Sequence, residues 1–127
     1  PSLDQVHMPP LNCFESEDAY WGTVLHELVH WTGHKERLSR DQSGRGSMET
    51  YAREELVAEL GSAFLCAQLG VPLEGLQHPA YLKHWIGVLK EDKRAIVRAA
   101  GAARRASELL LGYAEVPDRR LAGASAA

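Results

Sequence analysis

Two histidines four residues apart, with a glutamate beside the first, form the string His26-Glu27-Leu28-Val29-His30, which reads HExxH. On a helix, positions i and i+4 leave the same face one turn apart, so both imidazoles point the same way. One metal ion needs that geometry to accept two nitrogens at about 2.0–2.1 Å each. Glu27 sits next to a ligand position without having to ligate, where it can take a proton from a water polarised by the metal. The chain holds six histidines, and composition alone would place such a string roughly 0.03 times in it. The bland alternative is a pair of core histidines on an amphipathic helix. Leu25, Leu28 and Val29 would help bury that helix and keep the site dry.

Zinc usually takes a third protein ligand and leaves a fourth position for water. Three residues compete for the third place. His34 continues the four-residue series, but eight helical residues span about 12 Å, whereas tetrahedral zinc ligands stand about 3.4 Å apart. It would therefore need a chain turn at Gly33. Glu36 completes an HExxHxxGxxE pattern reminiscent of the metzincin layout. Glu55 lies in Glu54-Glu55-Leu56-Val57-Ala58-Glu59, where Glu55 and Glu59 share one helical face. That spacing suits a ligand (Glu55) and a carboxylate behind a ligating imidazole (Glu59). The segment resembles the NExxSD stretch of thermolysin-type gluzincins, with Ala58-Glu59 replacing Ser-Asp. Glu54 is expected as a solvated surface charge.

The elements that must position these groups are mostly helical. Pro1–Pro10 reads as an extended entry with a short strand around Val6–Met8, stopped by Pro9-Pro10. Ser16 is a good N-cap with Glu17 and Asp18 in the first turn, and Gly33 is a natural stop. Lys35–Ser47 reads as a loop. A second helix is expected from Ser47 or Met48 to Leu69, stopped by Gly70, with a core stripe of Leu56, Leu60, Ala63, Phe64 and Ala67. A third starts at His78-Pro79, with Tyr81, Leu82, Trp85, Ile86 and Leu89 inward. A fourth runs from near Asp92 to Leu111, ending at Gly112, and a frayed tail follows. The expected organisation is one domain over residues 1–116 and a tail over 117–127, within a longer protein because the chain starts at Pro1. Trp21, Trp31 and Trp85 are expected in the core, Trp31 also walling the metal cleft. His7 and His84 read as ordinary surface or core histidines.

Composition bounds the rest. The 127 residues are 45% hydrophobic and 24% charged, as expected of one globular domain rather than a disordered chain. A net charge of −3 does not draw the whole domain to nucleic acid or anionic lipid. No apolar run approaches the ~20 residues of a membrane span, and no signal peptide is visible. Cys13 and Cys66 form no Cys-rich pattern, which fits a reducing, cytoplasmic setting.

Three segments carry a family resemblance: Asp4-Gln5-Val6-His7-Met8-Pro9; Tyr20 to His34, containing HELVHWTGH; and Tyr51 to Gly61, containing YAREELVAELG. They resemble the zincin-type metallopeptidase domain of ArdC-type antirestriction proteins. Related domains occur in TraC-type plasmid primases and in polyvalent proteins of phages and plasmids. His78 to Ile96 is similar to the same family. The resemblance implies an α+β, mostly helical, gluzincin-type fold with a short N-terminal strand or small sheet and about four helices. In that family the metallopeptidase part follows an N-terminal single-stranded-DNA-binding region, which is expected to lie outside these residues.

The resulting expectation is a zinc metallopeptidase with one Zn²⁺ on His26, His30 and Glu55. Glu27 would be the general base toward a protein or peptide substrate. Tyr51, His78 and Tyr81 are candidate donors to the developing oxyanion. Two other readings compete. Lys90, Arg94, Arg98 and Arg105 fall at helical spacing and could touch phosphates, making a DNA-associated or partner-docking module with a structural metal; a solvated helix face is the bland alternative. An enzyme-shaped domain that inhibits by occlusion is the third.

Overall fold

Helix α1 spans Glu17–Thr32 because both ends are written locally. The Ser16 hydroxyl accepts the Ala19 amide at 3.1 Å, while Glu17 and Asp18 lie against the positive end of the helix. The computed structural model describes residues 3–42, 48–72 and 86–126, with side chains to residue 114. A 3₁₀ turn at Leu11–Cys13 precedes α1. Helix α2 is Met48–Leu69, a helical stretch at 86–91 (α3) follows, and α4 is Ala95–Ala126. Gly70, at φ +72°, closes α2 as expected of a residue with no Cβ to resist the left-handed region.

Helix α2 lies between the other two long helices and touches both. Leu25 and Val29 of α1, Leu56, Val57, Ala58, Leu65 and Cys66 of α2, and Ala99, Ala103 and Ala106 of α4 form the main core. Small residues on α4 let its backbone approach α2 closely. A smaller cluster joins Ala52, Val88 and Ala95. None of the described helices is long and apolar enough to cross a membrane.

Several expectations need correction. No strand occurs among the described residues. Residues 4–10 run without regular structure, because extended backbone becomes a strand only with a ladder partner, and Pro9-Pro10 removes two donors. The stripe assigned to α2 is only partly inward: Leu56 is buried, but Phe64 and Ala67 are exposed. The inward positions instead include Val57, Ala58, Gly61, Ser62 and Leu65. A helix held between two neighbours buries more than one face, and the face toward α1 is partly polar. Trp21 and Ile86 are likewise exposed. Helix α4 begins at Ala95, not near Asp92, and passes through Gly112 to Ala126. Gly112 keeps negative φ and stops nothing, so the stretch read as a frayed tail is helical to residue 126. His78, Tyr81, Leu82, His84 and Trp85 lie outside the described residues.

Gly61 sets the distance between α1 and α2. A Cβ there would stand 2.9 Å from both methyl carbons of Val29. Val29 is fully buried and, as a β-branched residue on a helix, has one strongly preferred rotamer. Gly61→Ala is therefore expected to force the helices apart, costing about 1–3 kcal/mol. A thermal melt showing no loss of stability would mean Val29 gives way freely.

Candidate metal centre

The close contact of α1 with α2 brings His26 and His30 against Glu55. The two Nε2 atoms are 3.2 Å apart. One Glu55 oxygen lies 3.2 Å from His26 Nε2 and the other 3.1 Å from His30 Nε2. Nitrogen–nitrogen and nitrogen–oxygen spacings near 3.2 Å approach the roughly 3.4 Å edge of a tetrahedron with metal–ligand bonds of about 2.05 Å. Among the described residues, these three form the one set of His, Cys, Asp or Glu side chains whose ligating atoms all fall within 4.8 Å of one another. His34 and Glu36 do not join it: the His34 ring nitrogen Nδ1 instead accepts the Glu36 amide at 3.2 Å.

Behind each imidazole stands a carboxylate. His26 Nδ1 meets Glu59 at 3.0 Å. His30 Nδ1 meets Glu54 at 3.2 Å, so Glu54, expected in solvent, is buried and faces the site. It is held by Arg40, with Nε to Oε2 at 3.0 Å and Nη2 to Oε1 at 2.9 Å, and by Gln42 Nε2 at 2.9 Å. Neither Arg40 nor Gln42 has a sequence signal of its own. A faint one existed for Glu54, which occupies the Asn position of the NExxSD layout. Gly33 is helical in backbone, and its missing side chain serves another purpose. A Cβ there would fall 2.5 Å from Gln42 Nε2 and 2.9 Å from Arg40 Nη2, so glycine makes room for both.

The electrostatics suit a cation. Burial disfavours charge on His26, yet Glu55 and Glu59 outweigh it and raise its pKa to about 9. His30 is also buried, and Glu54 and Glu55 raise it to about 9 against the repulsion of His26. Burial would raise Glu55, but the two imidazoles bring it down to about 2. Burial likewise opposes ionisation of Glu54, whose pKa is nevertheless lowered by His30 and Arg40. Three carboxylates around two imidazoles thus favour positive charge at this place.

A pH dependence follows. In the metal-free fold the histidine contribution to stability is complete below the unfolded value of 6.5 and is lost as pH rises through about 9. The Glu55 contribution is complete above 4.5 and lost as pH falls through about 2. Melting temperature without metal is therefore expected to peak between these unfolded values. Divalent metal must displace the protons, so its stabilising increment is expected to grow from pH 6 to pH 9. Melts with and without Mn(II) across that range check this; a flat increment would contradict it.

Glu27 is half-buried and lines two cavities that share it with His30 and Gln42. One, of about 320 Å³, is walled on the α2 side by Thr50, Tyr51 and Glu55. The other, of about 300 Å³, is walled by residues 3–7 and by Trp31, His34 and Arg37. Exposed Tyr51 thus borders the site from α2. His7, read as an ordinary histidine, and Trp31 border it from the opposite side. The N-terminal segment is pinned there by Asp4, which accepts two bonds from Arg37 at 2.6 and 2.8 Å. The Arg37 guanidinium in turn stacks 3.6 Å over the Trp31 ring.

Of the basic stripe, Lys90 falls in α3 and Arg94 in the turn before α4. Arg98 pairs with Asp92 at 2.5 Å. Arg98 and Arg105 share α4 and line one cavity, while Lys90 and Arg94 lie outside that helix.

Residues 1–102 match the family described as zincin-like metallopeptidase. Among curated relatives, a DNA primase TraC of Escherichia coli is 44% identical over 113 residues, which is 89% of this chain and 11% of the primase. The uncharacterized protein y4eC of Sinorhizobium fredii is 42% identical over 109 residues, 85% of this chain and 36% of that protein. The metal-free crystal structure of the antirestriction protein ArdC from plasmid R388 is 44% identical, with a TM-score of 0.72 over 85% of this chain and 39% of ArdC. Its Mn(II)-bound form gives 0.73 over 84% and 40%. The chain thus spans a minor part of each of these proteins.

Proposed function

Because the chain belongs to the zincin-like metallopeptidase family, we propose that it binds one Zn²⁺ through His26, His30 and Glu55 and hydrolyses peptide bonds. The observation that carries this reading is the trio of ligating atoms, all within 4.8 Å, at the junction of two cavities that share Glu27 and His30. A divalent ion there supplies Lewis acidity, making water a better nucleophile near neutral pH and polarising a carbonyl. Two imidazoles and one carboxylate leave Zn²⁺ a net charge of +1, which favours that role over a tetrathiolate-like structural one.

The chain's own groups do the rest. The Glu27 carboxylate accepts the proton of the attacking water and returns it to the departing amine nitrogen. Glu59 and Glu54 accept hydrogen bonds from the Nδ1–H groups of His26 and His30, fixing each ring so that Nε2 faces inward. Tyr51, which lines the same cavity as Glu27 and Glu55, is our candidate donor to the developing oxyanion, together with His78 and Tyr81. The two cavities leave room for substrate on either side of the reacting bond. In context, we assign the domain to an antirestriction or mobile-element protein like ArdC and TraC, with any single-stranded-DNA contact made by flanking regions. The alternative, a DNA-associated or protein-binding module with a structural metal, has no better support: Lys90 and Arg94 lie outside α4, and Arg98 is paired with Asp92.

Dialysis against a chelator is expected to abolish cleavage of an unfolded protein substrate, and one equivalent of Zn²⁺ to restore it. Cleavage that survives complete metal removal would end the proposal.

A further inference from the structure

Residues 34–42 fold back from the end of α1 and reach the metal face chiefly through Arg40 and Gln42. The Arg40 side chain is only 12% exposed and has three targets. Nε and Nη2 clasp the two oxygens of Glu54, Nη2 also donates to the Val29 carbonyl at 2.7 Å, and Nη1 donates to the Thr32 hydroxyl at 3.0 Å. The last two cap the end of α1, an ordinary structural duty for a cation at a helix C-terminus. The first is different, because Glu54 Oε1 also faces His30 Nδ1.

A lone buried carboxylate has several rotamers and a poorly defined plane. A guanidinium fork removes that freedom, since two parallel bonds fix both oxygens at once. Gln42 adds a third tether to Glu54 and itself donates to the His30 carbonyl at 2.6 Å. The imidazole of His30, its own backbone and the carboxylate behind it are thereby tied to one loop.

We propose that Arg40 is a positioning residue for the metal centre: by gripping Glu54 at two points it holds the carboxylate that orients the His30 ring. This rests on the reading of His30 as a metal ligand. It predicts that Arg40 acts on metal affinity through Glu54, and not through its contacts with α1.

A double-mutant cycle on the full chain separates the two routes, with Mn(II) and Zn(II) affinities read by calorimetry without substrate. Arg40→Lys keeps a cation at the end of α1 but loses the fork, and with it the separate Nη1 and Nη2 donors to Thr32 and Val29; that second loss is common to both backgrounds and cancels in the cycle. The substitution is expected to weaken metal binding about 10–100-fold, the effect typical of partners behind a ligand. Glu54→Gln keeps an acceptor for His30 and removes the charge that draws Arg40. In that background Arg40→Lys is expected to change affinity less than about 2-fold. Equal losses in both backgrounds, or no loss in the single variant, would overturn the proposal. Arg40→Gln, neutral but still a donor, supplies the same comparison should the lysine variant fail to fold. A wild-type protein that binds metal yet cleaves nothing counts against the peptidase reading alone. A cycle without coupling counts against this one alone.

Discussion

Glu27→Gln is expected to bind metal as the parent does and to lose peptide hydrolysis by at least about 10²–10⁴-fold. The substitution keeps the size and hydrogen-bonding shape of the side chain but removes the group that takes a proton, and positioned acid–base groups contribute on that scale. Glu27 is absent from the His26–His30–Glu55 set and lines both cavities beside it. Metal content and turnover should therefore separate. Elemental analysis and cleavage of a labelled peptide, on the same preparation, check both halves. Retained hydrolysis would remove Glu27 as the base, and lost metal would make it a ligand.

Glu55→Ala is expected to have the opposite signature, losing metal and activity together. Glu55 places an oxygen within 3.2 Å of each Nε2 and is buried. Removing it leaves two imidazoles facing each other at 3.2 Å without the carboxylate common to both. The fall in affinity should exceed the roughly 10–100-fold expected for partners behind the ligands. Competition with a metal-chelating dye measures it. One ion held as tightly as before would return Glu36 or His34 to consideration, although the exposed Glu36 has no described route to the site without movement of the loop.

Features set by neighbours in the chain are legible in the sequence. The HExxH string fixes the relative direction of two imidazoles once a helix forms, and Ser16 with its acidic first turn makes the helix form there. Glu55 and Glu59 reveal a shared face by their spacing alone. Gly70 announces the end of α2 because few other residues tolerate its backbone angle. Where the local reading failed, a distant partner decided. The N-terminal segment lacks a strand to pair with, and Phe64 turns outward because α2 follows the demands of α1 and α4 at once. Gly112 leaves α4 intact because a glycine ends a helix only where the chain turns.

From the sequence by itself came the chemistry on offer: two imidazoles on one helical face, a proton carrier beside them, and a second helix with carboxylates one turn apart. Tertiary structure decided which carboxylate meets the imidazoles and what stands behind each ring. Glu54 and Glu55 are adjacent and chemically identical, yet the packing of α2 against α1 sets one oxygen pair against the Nε2 atoms and the other against His30 Nδ1 and Arg40. That packing brings Gly61 against Val29 and meets the returning loop that carries Arg40. These are packing relations between residues far apart in the chain, which no local periodicity records.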